Sequence, residues 1–122
     1  MADPTYQPDD QVAEYHYVPC SIEQPGSTAV RPARLLEWAR WYEAREGEFT
    51  AGGGRVARDT DEVRGVCVST VFLGLDHNLG RDVPLLFETM VFGGEHDQYQ
   101  ERYSTYLAAL AGHARALDMV TA

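Results

Sequence analysis

The sequence predicts an α+β domain in which a few-stranded, mainly antiparallel sheet carries two helices packed on one face. Two observations predict the sheet and one predicts the helices. Val63–Leu75 and Pro84–Phe92 are apolar runs dense in β-branched and aromatic residues, as strands require, and they are joined by an eight-residue polar connection from Asp76 to Val83 that suits an antiparallel pair. Leu35 to Tyr42 and Tyr106 to Leu117 instead repeat their apolar residues at helical spacing.

Taken in order, residues 1–30 read as an acidic N-terminal arm and residues 31–122 as the single domain. Within the arm, residues 1–11, and again 19–32, are rich in Pro, Gln, Ser, Thr and Asp without periodicity. Between them VAEYHYV alternates and predicts a short edge strand. Arg31-Pro32 opens the first helix, since proline tolerates the first helical position; Leu35, Trp38, Ala39 and Tyr42 form its core stripe, Trp41 falls at the margin, and Gly47 stops it. After Gly52-Gly53-Gly54, residues 55–60 predict a short strand. Val63–Leu75 follows as the central strand, with apolar residues on both parities that predict cover on both faces, and Pro84–Phe92 as its partner, ended by Gly93-Gly94. Residues 97–103 fit either an early helical turn or a further edge strand, and the β propensity of Tyr99 and Tyr103 favours the strand. Ser104 or Thr105 caps the second helix, whose expected core stripe is Tyr106, Leu107, Leu110, Ala114 and Leu117.

Composition bounds the function. A 122-residue chain that is 44% hydrophobic can bury a core of its own, and no apolar run approaches the ~18 residues of a membrane span. The start, MADPTYQPDD, lacks the charge and apolar segment of a secretory signal, so the expected location is the cytoplasm, with Cys20 and Cys67 reduced. Net charge is −9, every basic residue is arginine, and the first 30 residues hold five acids and no arginine. Bulk nucleic-acid binding is therefore not expected. The triple glycine is followed by neither GxGxxG nor GxxxxGK spacing, and HExxH and paired CxxC are missing, so no cofactor is expected.

The residues that could carry chemistry are few. Asp76, His77 and Asn78 form a polar tip suited to a turn, in which Asp76 accepts backbone N–H bonds two residues on while Asn78 and Gly80 tolerate positive φ. Glu88 lies inside an apolar strand, where an unpaired carboxylate costs several kcal/mol, so a guanidinium partner is expected from Arg64, Arg58 or Arg102. Trp41, at the edge of its helix stripe, could anchor a partner. His113 reads as a packed histidine of the second helix, and Ser69 as a mid-strand serine too poorly exposed to act as a nucleophile. The binding candidates are thus Asp76, His77, Asn78, Glu88, Arg102 and Trp41. No catalytic residue and no metal site is assigned; the alternative ligand set would be Asp76, His77, His96 and Asp97, which requires two loops to meet at one edge of the sheet.

VSTVFLGLDH (Val68 to His77), PLLFETMVFGG (Pro84 to Gly94), ERY (Glu101 to Tyr103) and AGH (Ala111 to His113), with LLEWARWYE upstream, resemble a family of small proteins encoded by tailed bacteriophages and prophages. The resemblance spans roughly residues 35–115 and departs from the family pattern at Leu79, where an aromatic is expected, and in the long acidic arm. It implies a phage origin and expression inside a bacterium, and carries over no reaction or catalytic residue. The expected function is a non-enzymatic accessory protein that binds a host or phage macromolecule or a small signalling ligand, counter-defence being one such role. The alternative is a small metal-assisted hydrolase or lyase using Asp76, His77, His96 and Asp97, with Glu88 as base. A third reading is self-association, for which a homodimer is the commonest outcome.

Overall fold

A computed structural model describes residues 12–122. Among these residues six strands and two α-helices follow in order, with short 3-10 turns at Cys20–Ile22 and Phe49–Ala51: β1 (Val12–Pro19), β2 (Val30–Arg34), α1 (Leu35–Glu43), β3 (Arg55–Asp61), β4 (Val66–Phe72), β5 (Phe87–Phe92), β6 (Gln100–Tyr103) and α2 (Tyr106–Thr121). β1 and β2 form an antiparallel ribbon, and β3-β4-β5-β6 an antiparallel meander in sequence order. The α+β class and the antiparallel pairing of the two apolar runs are as the sequence predicts, with Val68 opposite Val91 and Phe72 opposite Phe87.

The pairing register sorts the meander into two faces. One carries Val66, Val68, Thr70 and Phe72 of β4 beside Val91, Thr89 and Phe87 of β5, and α2 packs across it. Trp41 of α1 reaches the same face, its ring 5.2 Å from Phe72. Two apolar clusters lie there. Phe49, Phe72, Phe87, Tyr103 and Ala109 form the larger, together with Val18 and Trp41; Val66, Val68, Val91 and Ala116 form the smaller. The other face presents Arg58, Ser69, Val71, Glu88, Met90 and Phe92, carries no helix, and leaves Phe92 49% exposed. The expectation that β4 is covered on both faces is therefore corrected: its buried positions alternate strictly from Val66 to Phe72.

Several further expectations change. Residues 12–30 are not an arm appended to a domain that begins at residue 31, because Val18 is fully buried in the larger cluster and Tyr17 packs against it. Residues 1–11 lie outside the described residues. Pro32 belongs to β2, opposite Tyr17, instead of opening α1; a two-stranded ribbon has free edges, where a residue without an N–H can sit. α1 ends at Glu43, short of Gly47.

Each helix is also rotated from its expected stripe, although Trp38, Tyr106 and Leu117 of those stripes do pack against the core. In α1, Trp41 is 5% exposed, whereas Leu35 and Tyr42 of the expected stripe are 38% and 41% exposed. In α2, the buried positions are Ala109, Gly112, His113 and Ala116, while Leu107 is 72% exposed. The reason is close approach: a face of small residues lets the helix axis sit near the sheet, where leucines would hold it off. Thr105 caps the helix, accepting from the Ala108 N–H at 3.1 Å. Leu107→Ala should accordingly shift the urea-unfolding free energy by less than about 0.5 kcal/mol, against the 2–5 kcal/mol of a core leucine.

Candidate functional site

Loop 73–86 joins β4 to β5 and is built around one carboxylate. Asp76 is 2% exposed. Its Oδ1 accepts the N–H groups of Asn78 (2.7 Å) and Leu85 (3.0 Å), and its Oδ2 that of Gly80 (2.8 Å). Burial pushes the carboxyl's pKa up, but the three backbone donors together with His77 outweigh it and hold the group below the ordinary carboxylate range. The Asn78 amide closes the loop from the other side by donating to the carbonyls of Arg81 and Val83. The Asp-His-Asn tip is thus a hydrogen-bonded turn, as expected, with the left-handed backbone falling on Leu79, Gly80 and Asp82 and not on Asn78. Three of the carboxylate's roughly four acceptor sites are thus spent on loop backbone, and the group is buried.

The start of this loop is stitched to β1. Asp76 N–H donates to the Tyr15 carbonyl and Tyr17 N–H to the Gly74 carbonyl, so residues 74–76 continue the β1 ribbon. Trp38 Nε1 donates to the same Gly74 carbonyl at 2.7 Å. Gly74 has φ of 72°, and a Cβ there would run into the rings of Trp41 and Trp38. Both tryptophans therefore reach the loop only because this position has no side chain.

That stitching opens a cleft of about 880 Å³ between the C-terminal half of α1 and the uncovered face of the sheet. Trp38, Tyr42, Glu43, Arg45 and Glu46 line it from α1 and the segment after it, Arg55, Arg58, Ser69 and Val71 line it from the sheet, and Leu73, Leu75 and His77 line it from the loop. The volume is in the range of small-molecule sites. Arg55 and Arg58 are exposed and make no ion pair among the described residues. In a chain of net charge −9, a cleft lined by Arg45, Arg55 and Arg58 against Glu43 and Glu46 carries a slight local excess of positive charge.

The remaining candidates have other places. His77 is exposed and lines the cleft. Glu88 receives Arg102 Nε at 2.9 Å and Gln100 Nε2 at 2.6 Å, the guanidinium partner that its position demands. This pair continues the open sheet face, Glu88 lying opposite Val71 and Arg102 opposite Glu88. Trp41 does not anchor a partner: it is buried, and its Nε1 donates to the Gly52 carbonyl at 2.9 Å. Asp76 and His77 lie beyond the Phe72/Phe87 end of the β4–β5 pair, whereas His96 and Asp97 lie beyond Phe92 at the opposite end of β5. Those four groups cannot share an ion, and among the described residues no cluster of three or more His, Cys, Asp or Glu is placed to hold one.

A polar chain that the sequence does not announce crosses the core beneath α2. His113 Nε2 meets Asp59 Oδ2 at 2.7 Å, its Nδ1 meets Thr70 Oγ1 at 2.7 Å, and Thr70 Oγ1 meets Thr89 Oγ1 at 2.5 Å. The order carboxylate–imidazole–hydroxyl is that of a nucleophilic triad, but the burial is reversed: Thr70 is 0% exposed and the Asp59 side chain 56%. A hydroxyl sealed between two apolar clusters cannot attack a substrate, so the chain satisfies buried polar groups and fixes α2 on the sheet. The packed role expected of His113 fits this position. Only the alternation of threonine among valines in β4 and β5 hints at the chain in the sequence.

Comparison of the chain with protein-family models, curated proteins and solved structures finds no match. Among the described residues no helix is long and apolar enough to cross a membrane.

Proposed function

We propose that the protein is a non-enzymatic accessory protein of a tailed phage or prophage, acting in the cytoplasm of the bacterial host, and that it binds a small anionic ligand in the cleft between α1 and the open sheet face. The observation that carries this reading is the pair of exposed guanidiniums of Arg55 and Arg58, which make no ion pair among the described residues, in a cleft of about 880 Å³. Arginine forks match phosphate and carboxylate oxygens, and such charge-assisted bonds are the stronger kind. Inaccessibility of the Thr70 hydroxyl and burial of the Asp76 carboxylate against three backbone donors support binding over turnover. Sequestering a signalling ligand, and so blunting a host defence, is a role such a site suits.

Titration calorimetry against phosphate esters and polycarboxylates tests the reading. At least one should bind with a Kd below about 1 mM, the Arg55→Gln/Arg58→Gln variant should weaken it about tenfold or more, and added salt should weaken it further. Absence of any such ligand, or equal affinity in the double variant, would overturn it.

A further inference from the structure

We infer that the anion taken by the cleft is a single nucleotide, a phosphate ester carrying a planar base; this rests on the anion-binding reading above and narrows it. The α1 wall is a stack. Trp38 and Tyr42, four residues apart on the helix, lie ring over ring at 5.0 Å with 24° between planes. The Arg45 guanidinium carbon sits 3.7 Å from the Tyr42 ring centroid, and Arg45 also donates to the Tyr42 carbonyl. Beneath them Trp38 is fixed by His16 packed edge to face at 4.5 Å and by its bond to the Gly74 carbonyl. The stack thus runs from His16 through Trp38 and Tyr42 to a guanidinium plane held at two points, with Arg45 itself exposed. A guanidinium plane backed by an aromatic ring is a surface on which a nucleobase stacks.

The cleft's charges are of two kinds, and a nucleotide uses both. Arg55 and Arg58 on the sheet wall suit the phosphate. Glu43 and Glu46 on the α1 wall, which form no ion pair among the described residues, would repel a bare anion but accept from ribose hydroxyls or exocyclic amines. An ionised polycarboxylate offers those glutamates no donor, and inorganic phosphate offers only its own P–OH, on the same atom group that the arginines must hold. A long strand is disfavoured for another reason: beyond the cleft it would run over a surface whose net charge is −9.

Calorimetry on the full chain with the four ribonucleoside 5′-monophosphates, ribose 5-phosphate, inorganic phosphate and a short single-stranded oligonucleotide tests the inference. The best monophosphate should bind about tenfold or more tighter than ribose 5-phosphate, because only it can stack. Arg45→Ala should bring that ratio to within about twofold, and Arg45→Lys, which keeps the charge but not the plane, should not restore it. Circular dichroism of both variants confirms that they fold. Equal affinity for monophosphate and ribose 5-phosphate would overturn the nucleotide inference and leave the anion cleft standing. No binding of any phosphate-bearing probe would remove the inference, and the anion reading with it if polycarboxylates also fail. An oligonucleotide that binds far more tightly than its count of nucleotides explains would contradict the compact ligand.

Discussion

Gly112→Ala should cost the protein about 3 kcal/mol or more in urea unfolding, enough to threaten the folded state of a domain this size. In an exposed helix the same change stabilises by up to about 1 kcal/mol, so the sign alone is informative. At Gly112 a Cβ would fall on the hydroxyl, Cζ and Cε1 of Tyr103, which is 6% exposed on β6 and has nowhere to swing. α2 would have to lift from the sheet, separating His113 from Thr70 and Ala109 and Ala116 from the two apolar clusters. Tyr103→Leu in the Gly112→Ala background removes the obstructing atoms and should return about 1 kcal/mol or more, whereas Tyr103→Phe keeps the ring and should return little. A stabilised Gly112→Ala protein would mean that α2 does not sit this close.

Asp76→Asn should be nearly as damaging, at about 3 kcal/mol near neutral pH. The substitution keeps the shape but replaces one acceptor oxygen by a donor and removes the charge, leaving at least one of the N–H groups of Asn78, Gly80 and Leu85 short of its acceptor in a buried place. The pH dependence carries a sign. Because the native Asp76 carboxyl titrates below its ordinary value of 3.8, the unfolded chain takes up a proton first as pH falls. The stabilisation is fully present above that value and is lost as pH drops through the native one. His16 acts higher on the scale. Burial holds its imidazole below the ordinary 6.5, and its Nδ1 lacks a hydrogen-bond partner among the described residues. Stability should therefore begin to fall as pH drops through 6.5, where the unfolded chain protonates and the native state does not, and stop falling from this source below the native value. His16→Phe should flatten the upper step and Asp76→Asn the lower, as read by urea midpoints across pH. Loss of less than about 1 kcal/mol for Asp76→Asn would show that the loop does not depend on that carboxylate.

The sheet was legible because its signal is local. β4 and β5 are short runs of β-branched and aromatic residues between turn formers, and any pairing of them buries the same side chains. The helices were legible in place but not in rotation. In α2 the eye follows Leu107 and Leu110, yet the sheet selects Ala109, Gly112 and Ala116, because what decides is how near the backbone can come, and apolar periodicity does not encode distance. The same limit misplaced Trp41, which is drawn inward by the side-chain-free backbone of Gly74 and by the Gly52 carbonyl.

The site shows the same division. Asp76 and Asn78 read correctly as turn residues, since each bonds to backbone within nine residues of itself. Glu88 correctly demanded a partner, and Arg102 supplied it. Arg58 was visible only as another donor for Glu88, and Arg55 not at all, because whether an arginine is spent on an ion pair depends on which residues the fold brings alongside. Arg102 is taken by Glu88, Arg31 by Glu23 and Glu37, Arg64 by Asp61 and Arg115 by Glu101. Arg55 and Arg58, like Arg40, Arg45 and Arg81, make no ion pair among the described residues, and only the fold shows that Arg55 and Arg58 join Arg45 in lining the cleft. The His113 chain was likewise hidden, being assembled from residues 11 to 54 positions apart.

A titration of isotope-labelled protein with a ribonucleoside monophosphate, followed by NMR of backbone amides and arginine side chains, bears most directly on the cleft. Shifts should gather on Arg45, Arg55, Arg58, Val71 and His77 and saturate together, with Leu107 and Leu110 on the outer face of α2 unmoved. Shifts centred on that outer face, or none at millimolar ligand, would contradict the assignment of the cleft as the binding site.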